Sequence, residues 1–282
     1  MTASSTPLPA RRVTEVRPGG RWGDLDLAEL WRFRELLYCL VQRELKIRYK
    51  QAAIGVGWAV LQPVLAVLIF AVIFGHFAKM PTGGTPYVIF AFTAVLPWTY
   101  FSEAFRRSAG GLVSDADLVR KIYFPRLIVP LAQVTAPLAD FAAGFVVLLV
   151  LFAAFHVAPT PAIVLLPLFL LVALALALAI ALWLGPISVR FRDTIHALPF
   201  LLQIWMYASP VAYPASIVPE RWRLLYSLNP MVGVIEGFRW ALLGSSQPDF
   251  RAMAVSGAFI IVALAGGVVY FRKMERSFAD VI

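Results

Sequence analysis

The chain has 282 residues, of which 60% are hydrophobic and 15% charged, with a mean hydropathy of +0.77; this excludes an ordinary water-soluble domain, in which about a quarter of residues are charged. The net charge of +9 does not point to nucleic acid, because the basic residues lie between apolar runs instead of along one stripe. One cysteine, Cys39, excludes an intrachain disulfide or a multi-cysteine metal framework, and three scattered histidines, His76, His156 and His196, offer no metal site.

Residues 1–28 are rich in Pro, Thr, Ser, Arg and Gly and contain no apolar core of a cleavable signal, so they read as a flexible cytoplasmic tail. Residues 29–282 read as one membrane domain. At its start, residues 29–46 place Leu30, Phe33, Leu37, Leu40, Val41 and Leu45 at helical spacing, opposite Arg32, Glu35, Gln42, Arg43 and Lys46. This pattern predicts an amphipathic helix along the inner leaflet with its basic face toward anionic head groups. Arg34 and Glu44 interrupt the apolar side, which suggests cover by a partner protein.

Six apolar runs follow, near 58–78, 87–105, 128–154, 162–185, 195–213 and 253–271. Each approaches the roughly 20 residues needed to cross about 30 Å of hydrocarbon. Six crossings return both termini to one side, and of the Lys and Arg residues 20 fall in the tail and inner connections against 5 outside. The positive-inside bias therefore predicts cytoplasmic termini.

Between the fifth and sixth runs, residues 210–252 contain Pro210, Pro214, Pro219 and Pro230, a charged patch at 220–223, and an apolar stretch at 231–243. That stretch reaches only about 20 Å as a helix, too short to span. Asn229 followed by Pro230 is a good helix start, and we read the segment as a re-entrant outward-facing helical hairpin. A folded external loop with an apolar face is the alternative.

The chain contains no phosphate-binding loop of the G-x-x-x-x-G-K-[ST] kind, so any ATP would be bound by another chain. Ion coupling would show as several intramembrane ionisable residues. Only Asp140 lies near mid-span, while Glu103 sits beside Arg106 and Arg107 toward an inner helix end. For Asp140, hydrogen bonding between helices, subunit assembly and ion coupling all remain open. The inner loop at 114–126 has Ser114 or Asp115 as candidate N-caps and Pro125 as a stop, which suits a short docking helix. The second inner loop, 185–199, offers Arg190, Arg192 and Asp193 to lipid, to the next helix or to the same partner. Abundant aromatics, among them Trp98, Tyr100, Trp183, Trp205 and Trp240, fit an interfacial belt, and a subset would give the flat platforms suited to a sliding sugar chain.

Several stretches taken together, LKIRYKQAAIGVGWAVLQP (45–63), VLPWTYF (95–101), VRKIYFPR (119–126) and SPVAYPASIVPERWRLLYSLNPMVGVIEGFRW (209–240), resemble the type-2 ABC transporter permeases that export O-antigen, capsule and teichoic acid polymers. The resemblance runs from about residue 30 to the C-terminus. It implies an all-α permease acting as a homodimer with two copies of a separate ATPase, which would bind ATP and magnesium. The helix near 29–46 and a coupling helix near 115–122 would sit on that ATPase through Arg43, Lys46, Asp115, Asp117, Leu118, Arg120 and Lys121. The first and fifth spans would flank the conduit, with Trp58, Gln62, Tyr207 and Tyr213 facing lipid-linked glycan beside Trp98 and Tyr100. The hairpin would gate the exit through Pro219, Trp222, Tyr226, Asn229 and Pro230. No catalytic residue is implied. A type-2 exporter of another lipid or drug, an ion-coupled secondary transporter and a membrane-embedded glycosyltransferase or lipid hydrolase are the other readings.

Overall fold

A computed structural model describes residues 27–50, 55, 57–115, 118, 121–191, 193–244 and 250–275. Residues 1–26 of the tail predicted at 1–28, together with Asp117, Arg120 and Arg192, lie outside the described residues, while residues 27 and 28 begin α1. The described chain is helical: α1 (Leu27–Arg32) and α2 (Arg34–Tyr49) precede α3 (Gly57–Phe70), whose last turns widen into a π-helix over Ala71–Phe77. Then come α4 (Tyr87–Ser114), α5 (Ile128–Thr135), α6 (Leu138–Ala154), α7 (Leu166–Arg190), α8 (Thr194–Tyr207), α9 (Glu220–Tyr226), α10 (Pro230–Leu243) and α11 (Phe250–Glu275). Apolar content and length follow one rule throughout. A backbone that cannot find water in hydrocarbon closes its hydrogen bonds within a helix.

Among the described residues, five stretches are long and apolar enough to cross a membrane: Gly57–Phe77, Tyr87–Ser114, Ile128–Ala154, Pro161–Arg190 and Phe250–Glu275. The chain is thus an all-α, multi-pass membrane protein. The run expected at 195–213 does not appear as a sixth long helix, because α8 stops at Tyr207 after 14 residues. At about 1.5 Å per residue that is about 21 Å, short of the hydrocarbon thickness of about 30 Å.

Helix α4 is the central pillar. Ile89, Phe92, Leu96, Tyr100, Phe101 and Ala104 on it are almost fully buried, and it packs against α3, α5, α6, α7, α8 and α10. Close helix approach depends on small residues. A Cβ on Gly111 of α4 would come within 2.6 Å of Gln133 of α5, and one on Gly237 of α10 within 2.4 Å of the Phe169 ring of α7. The two long outer helices α7 and α11 pack along each other, with Trp183 stacked on Tyr270 at 4.9 Å.

The apolar stripe of the amphipathic helix is covered by its own chain and not by lipid. Leu30, Phe33, Leu36, Leu37, Leu40 and Val41 pack with Leu112, Phe124, Leu127, Ile128 and Phe271 in a second core at the end of the bundle. The expected N-caps of a docking helix also have another role. Ser114 is the last residue of α4, and Asp115 closes that helix by donating its backbone N–H to Gly111 at 3.0 Å.

Candidate functional site: an ion chain at one end and an irregular turn at the other

The basic residues of α2 enter a chain of ion pairs that ties this helix to the bundle. Arg48 contacts Glu103 of α4 at 2.6 Å and Asp140 of α6 at 2.6 Å. Glu103 also receives Arg106 and, at 2.9 Å, Arg107. Arg107 reaches back to Glu44 at 3.2 Å, Glu44 pairs with Arg43 at 3.0 Å, and Arg43 holds Asp115 at 2.5 Å. The Tyr49 hydroxyl donates to Asp140. Arg43, Arg48, Arg106 and Arg107 thus answer Glu44, Glu103, Asp115 and Asp140 one for one.

Most of these groups are sheltered: Glu103 is 14% exposed, Asp140 15% and Asp115 4%. A sheltered carboxylate without a cation would carry a large desolvation cost, so the chain is required as a unit. Burial pushes the Asp115 carboxyl above the usual carboxylate range even with Arg43 beside it. Asp140 thus pairs with Arg48 of α2, and Glu44, which interrupts the apolar stripe, pairs with Arg107 of α4. Arg34 is exposed beside Trp31, donating to its carbonyl at 3.3 Å. Lys46 and Lys121 are exposed, and Leu118 is half-buried against the second core.

A cavity of about 80 Å³ adjoins the ion chain, between Gln62, Tyr100, Glu103 and Asp140. Trp58 and Gln62 are exposed on α3, which packs on α4 and α6; Tyr207 is 57% exposed at the end of α8, which packs on α4 and α7. Trp98 and Tyr100 lie on the central helix α4. They are 5% and 1% exposed, with the Tyr100 hydroxyl donating to Val134 and its ring edge-on to Phe141 at 6.1 Å. Both are core residues of the central helix, and Tyr100 borders the same cavity as Gln62.

At the other end, the chain leaves α8 at Tyr207 and runs without helix through residues 208–213. Its carbonyls are met one after another by polar side chains. Tyr213 donates to Tyr207 at 2.9 Å, Asn229 to Ala208 at 2.9 Å and Tyr87 to Ala212 at 2.6 Å. Arg239 donates to Val211 at 2.9 Å, to Tyr213 at 3.1 Å and to the Glu236 carboxylate at 3.1 Å, with its guanidinium 3.8 Å over the Phe90 ring. Arg239 is 1% exposed. This is how an irregular backbone is tolerated within the bundle: protein groups take the place of water.

Asn229 has three tasks. It caps α10 by accepting from the Met231 N–H at 3.1 Å, accepts from Trp205 at 2.8 Å and donates to Ser209 at 2.9 Å. Trp205 in turn meets Phe101 and Phe105 of α4 edge-on at 5.1 and 6.0 Å. The far end of α10 stops at Gly244, whose φ of 61° is left-handed. There Thr160, from the connection between α6 and α7, donates its N–H to Leu242 and its hydroxyl to Ala241. Of the expected gate residues, Pro230 is buried, Tyr226 is half-buried with its hydroxyl 3.2 Å from that of Tyr213, Pro219 caps α9, and Trp222 is 52% exposed.

The motif-bearing residues at 45–63, 95–101 and 209–240 thus fall on the ion chain, the central helix and the α8–α10 turn. The family pattern described as "ABC-2 type transporter" matches residues 35–243. The chain belongs to the ABC-2 type transporter family. It is a membrane permease component of that family and not a catalytic chain. It is 32% identical over 256 residues to the O-antigen export system permease protein RfbA of Myxococcus xanthus, covering 90% of this chain and 98% of that one. It is 22% identical to the O-antigen export system permease protein RfbA of Klebsiella pneumoniae, over 88% of this chain and 95% of the other. The polysialic acid transport protein KpsM of Escherichia coli is 22% identical over 84% of this chain and 93% of its own. Among the described residues no group of three or more His, Cys, Asp and Glu side chains is placed to hold a metal ion.

Sequence reasoning missed two functional residues. Arg48 was read only as part of a motif. Arg239 passed unremarked, although a charged residue inside the apolar stretch 231–243 is itself the signal for a buried partner.

Proposed function

We propose that this ABC-2 permease exports a lipid-linked polysaccharide across the bacterial inner membrane, driven by ATP that a separate subunit hydrolyses. The observation that carries this reading is the full-length similarity to permeases named for O-antigen export and polysialic acid transport. The chain acts as a homodimer with two ATPase copies. The exposed faces of α3 and α8, with Trp58, Gln62 and Tyr207, flank the conduit between copies, because a two-fold interface supplies the width that a single chain lacks.

In this reading α8 and the bonded segment after it make a short fifth crossing, so that six crossings leave both termini in the cytoplasm. Helices α9 and α10 form a re-entrant hairpin facing outward. Asn229 bonded to Trp205 deep against α4, and Leu242 bonded to the Thr160 connection, support a hairpin that enters and leaves on one side. Residues 1–28 are the cytoplasmic tail and 29–282 the transport domain. Lys46, Leu118 and Lys121 meet the ATPase together with Asp117 and Arg120; Arg43 and Asp115 act from behind by fixing α2 to α4. Motor strokes on α2 then reach α4 and α6 through Arg48, Glu103 and Asp140.

Deleting the gene tests this. Undecorated cells with polymer accumulating inside are expected, with surface display restored by the native chain. In the same complemented cells, an impermeant thiol reagent should label a Ser216→Cys variant and leave the native, exposed Cys39 of α2 unlabelled. Normal surface polymer in the deletion strain, or labelling of Cys39 in intact cells, contradicts the proposal.

A further inference from the structure

Behind the proposed hairpin lies a cavity of about 360 Å³, with Phe90, Val232 and Met253 as apolar walls and Arg223, Glu236 and Arg239 as charged groups. Arg239 and Glu236 answer each other at 3.1 Å. Arg223 is held more loosely. Its Nε donates to the Val218 carbonyl at 3.2 Å, and its ion-pair partner Glu220 stands 3.7 Å away and is 89% exposed, so solvent screens the pair. The ion chain shows the contrast, since Arg43, Arg48 and Arg107 there meet sheltered carboxylates at 2.5, 2.6 and 3.2 Å. Around the cavity, Trp222, Leu224, Leu225 and Leu228 are about half-exposed or more, as expected of side chains at lipid depth.

A cation at the mouth of a largely apolar cavity, beside exposed apolar side chains, suits a molecule with an anionic head and a greasy body. We propose that this cavity holds the phosphodiester head of a phospholipid, with Arg223 on the phosphate and the glycerol and first acyl carbons against Phe90, Val232 and Met253. Basic pockets between membrane helices bind head groups on this principle. Free phosphate would gain the charge contact and lose hydration against the apolar walls without compensation. Assignment of the lipid to the outer leaflet rests on the topology proposed above; the binding itself does not.

Native mass spectrometry of the purified, delipidated full chain, with phosphatidylglycerol or millimolar inorganic phosphate added, tests the inference. One retained phosphatidylglycerol per chain is expected, and no retained phosphate. Arg223→Gln should lower lipid affinity about tenfold, the scale of one charge-assisted hydrogen bond. Ala252→Phe, which fills the cavity from α11, should do the same. Arg221→Gln, on the same helix but outside the cavity lining, should leave binding unchanged. Equal lipid retention by the Arg223 and Ala252 variants, displacement of lipid by inorganic phosphate, or an equal loss on changing Arg221 would each overturn it. Failure here leaves the deletion phenotype untouched, so the two proposals fail separately.

Discussion

Arg239→Ala is expected to lower the stability of the folded chain by about 3–5 kcal/mol, the range seen when one partner of a buried ion pair is removed. Three groups lose their donor at once: the Val211 and Tyr213 carbonyls and the Glu236 carboxylate. Each unmet carbonyl in a dry setting adds its own desolvation penalty, and the Phe90 ring loses the cation packed over it at 3.8 Å. Arg239→Lys should recover only part of the loss, because an ammonium is a single point that cannot hold two carbonyls and a carboxylate in one plane. The measurement is the midpoint of thermal loss of monodisperse protein in detergent, in the order native, then lysine, then alanine. Equal midpoints for native and alanine forms would show that residues 208–213 do not depend on the guanidinium.

The second large effect concerns Arg48. Arg48→Ala is expected to destabilise the chain by about 3 kcal/mol, since Asp140 keeps only the Tyr49 hydroxyl and Glu103 must share Arg106 and Arg107. Asp140→Asn should cost about 1 kcal/mol, because an amide oxygen still accepts from Tyr49 while Arg48 retains Glu103. The double variant should cost little more than Arg48→Ala alone, and this non-additivity is what identifies the pair. Export by Asp140→Asn, scaled to membrane abundance, should stay close to native. A variant present at normal abundance that moves no polymer would instead give Asp140 a part in an ion path.

The long helices were legible because apolar runs of spanning length have few folded alternatives once water is excluded. The cap at Asn229 was legible too, being a local event fixed by Asn-Pro and confirmed by the bond from Met231. Long-range pairing was not. Arg43 and Asp115 are 72 positions apart and Tyr49 and Asp140 are 91 apart, and nothing in either local pattern announces the other. The early end of α8 escaped for a related reason. The apolar run was carried through residues 208–213 by Ala208, Val211 and Ala212, although Ser209 and Pro210 interrupt it there; a second sign was a buried arginine 26 residues beyond Tyr213, bonded to its carbonyl. An aromatic on a lipid-facing helix and one on the central helix, such as Trp98 or Tyr100, look alike until the packing partner is known. The apolar stripe of α2 carried the same ambiguity, since periodicity shows that a face is covered without showing by what.

Inside-out membrane vesicles test the central claim most directly. With the permease, its partner ATPase and lipid-linked polymer supplied together, the polymer should move into the protected lumen only when ATP is added, and should remain outside when either chain is omitted. Entry of polymer at the same rate without ATP, or with the ATPase left out, would contradict the account.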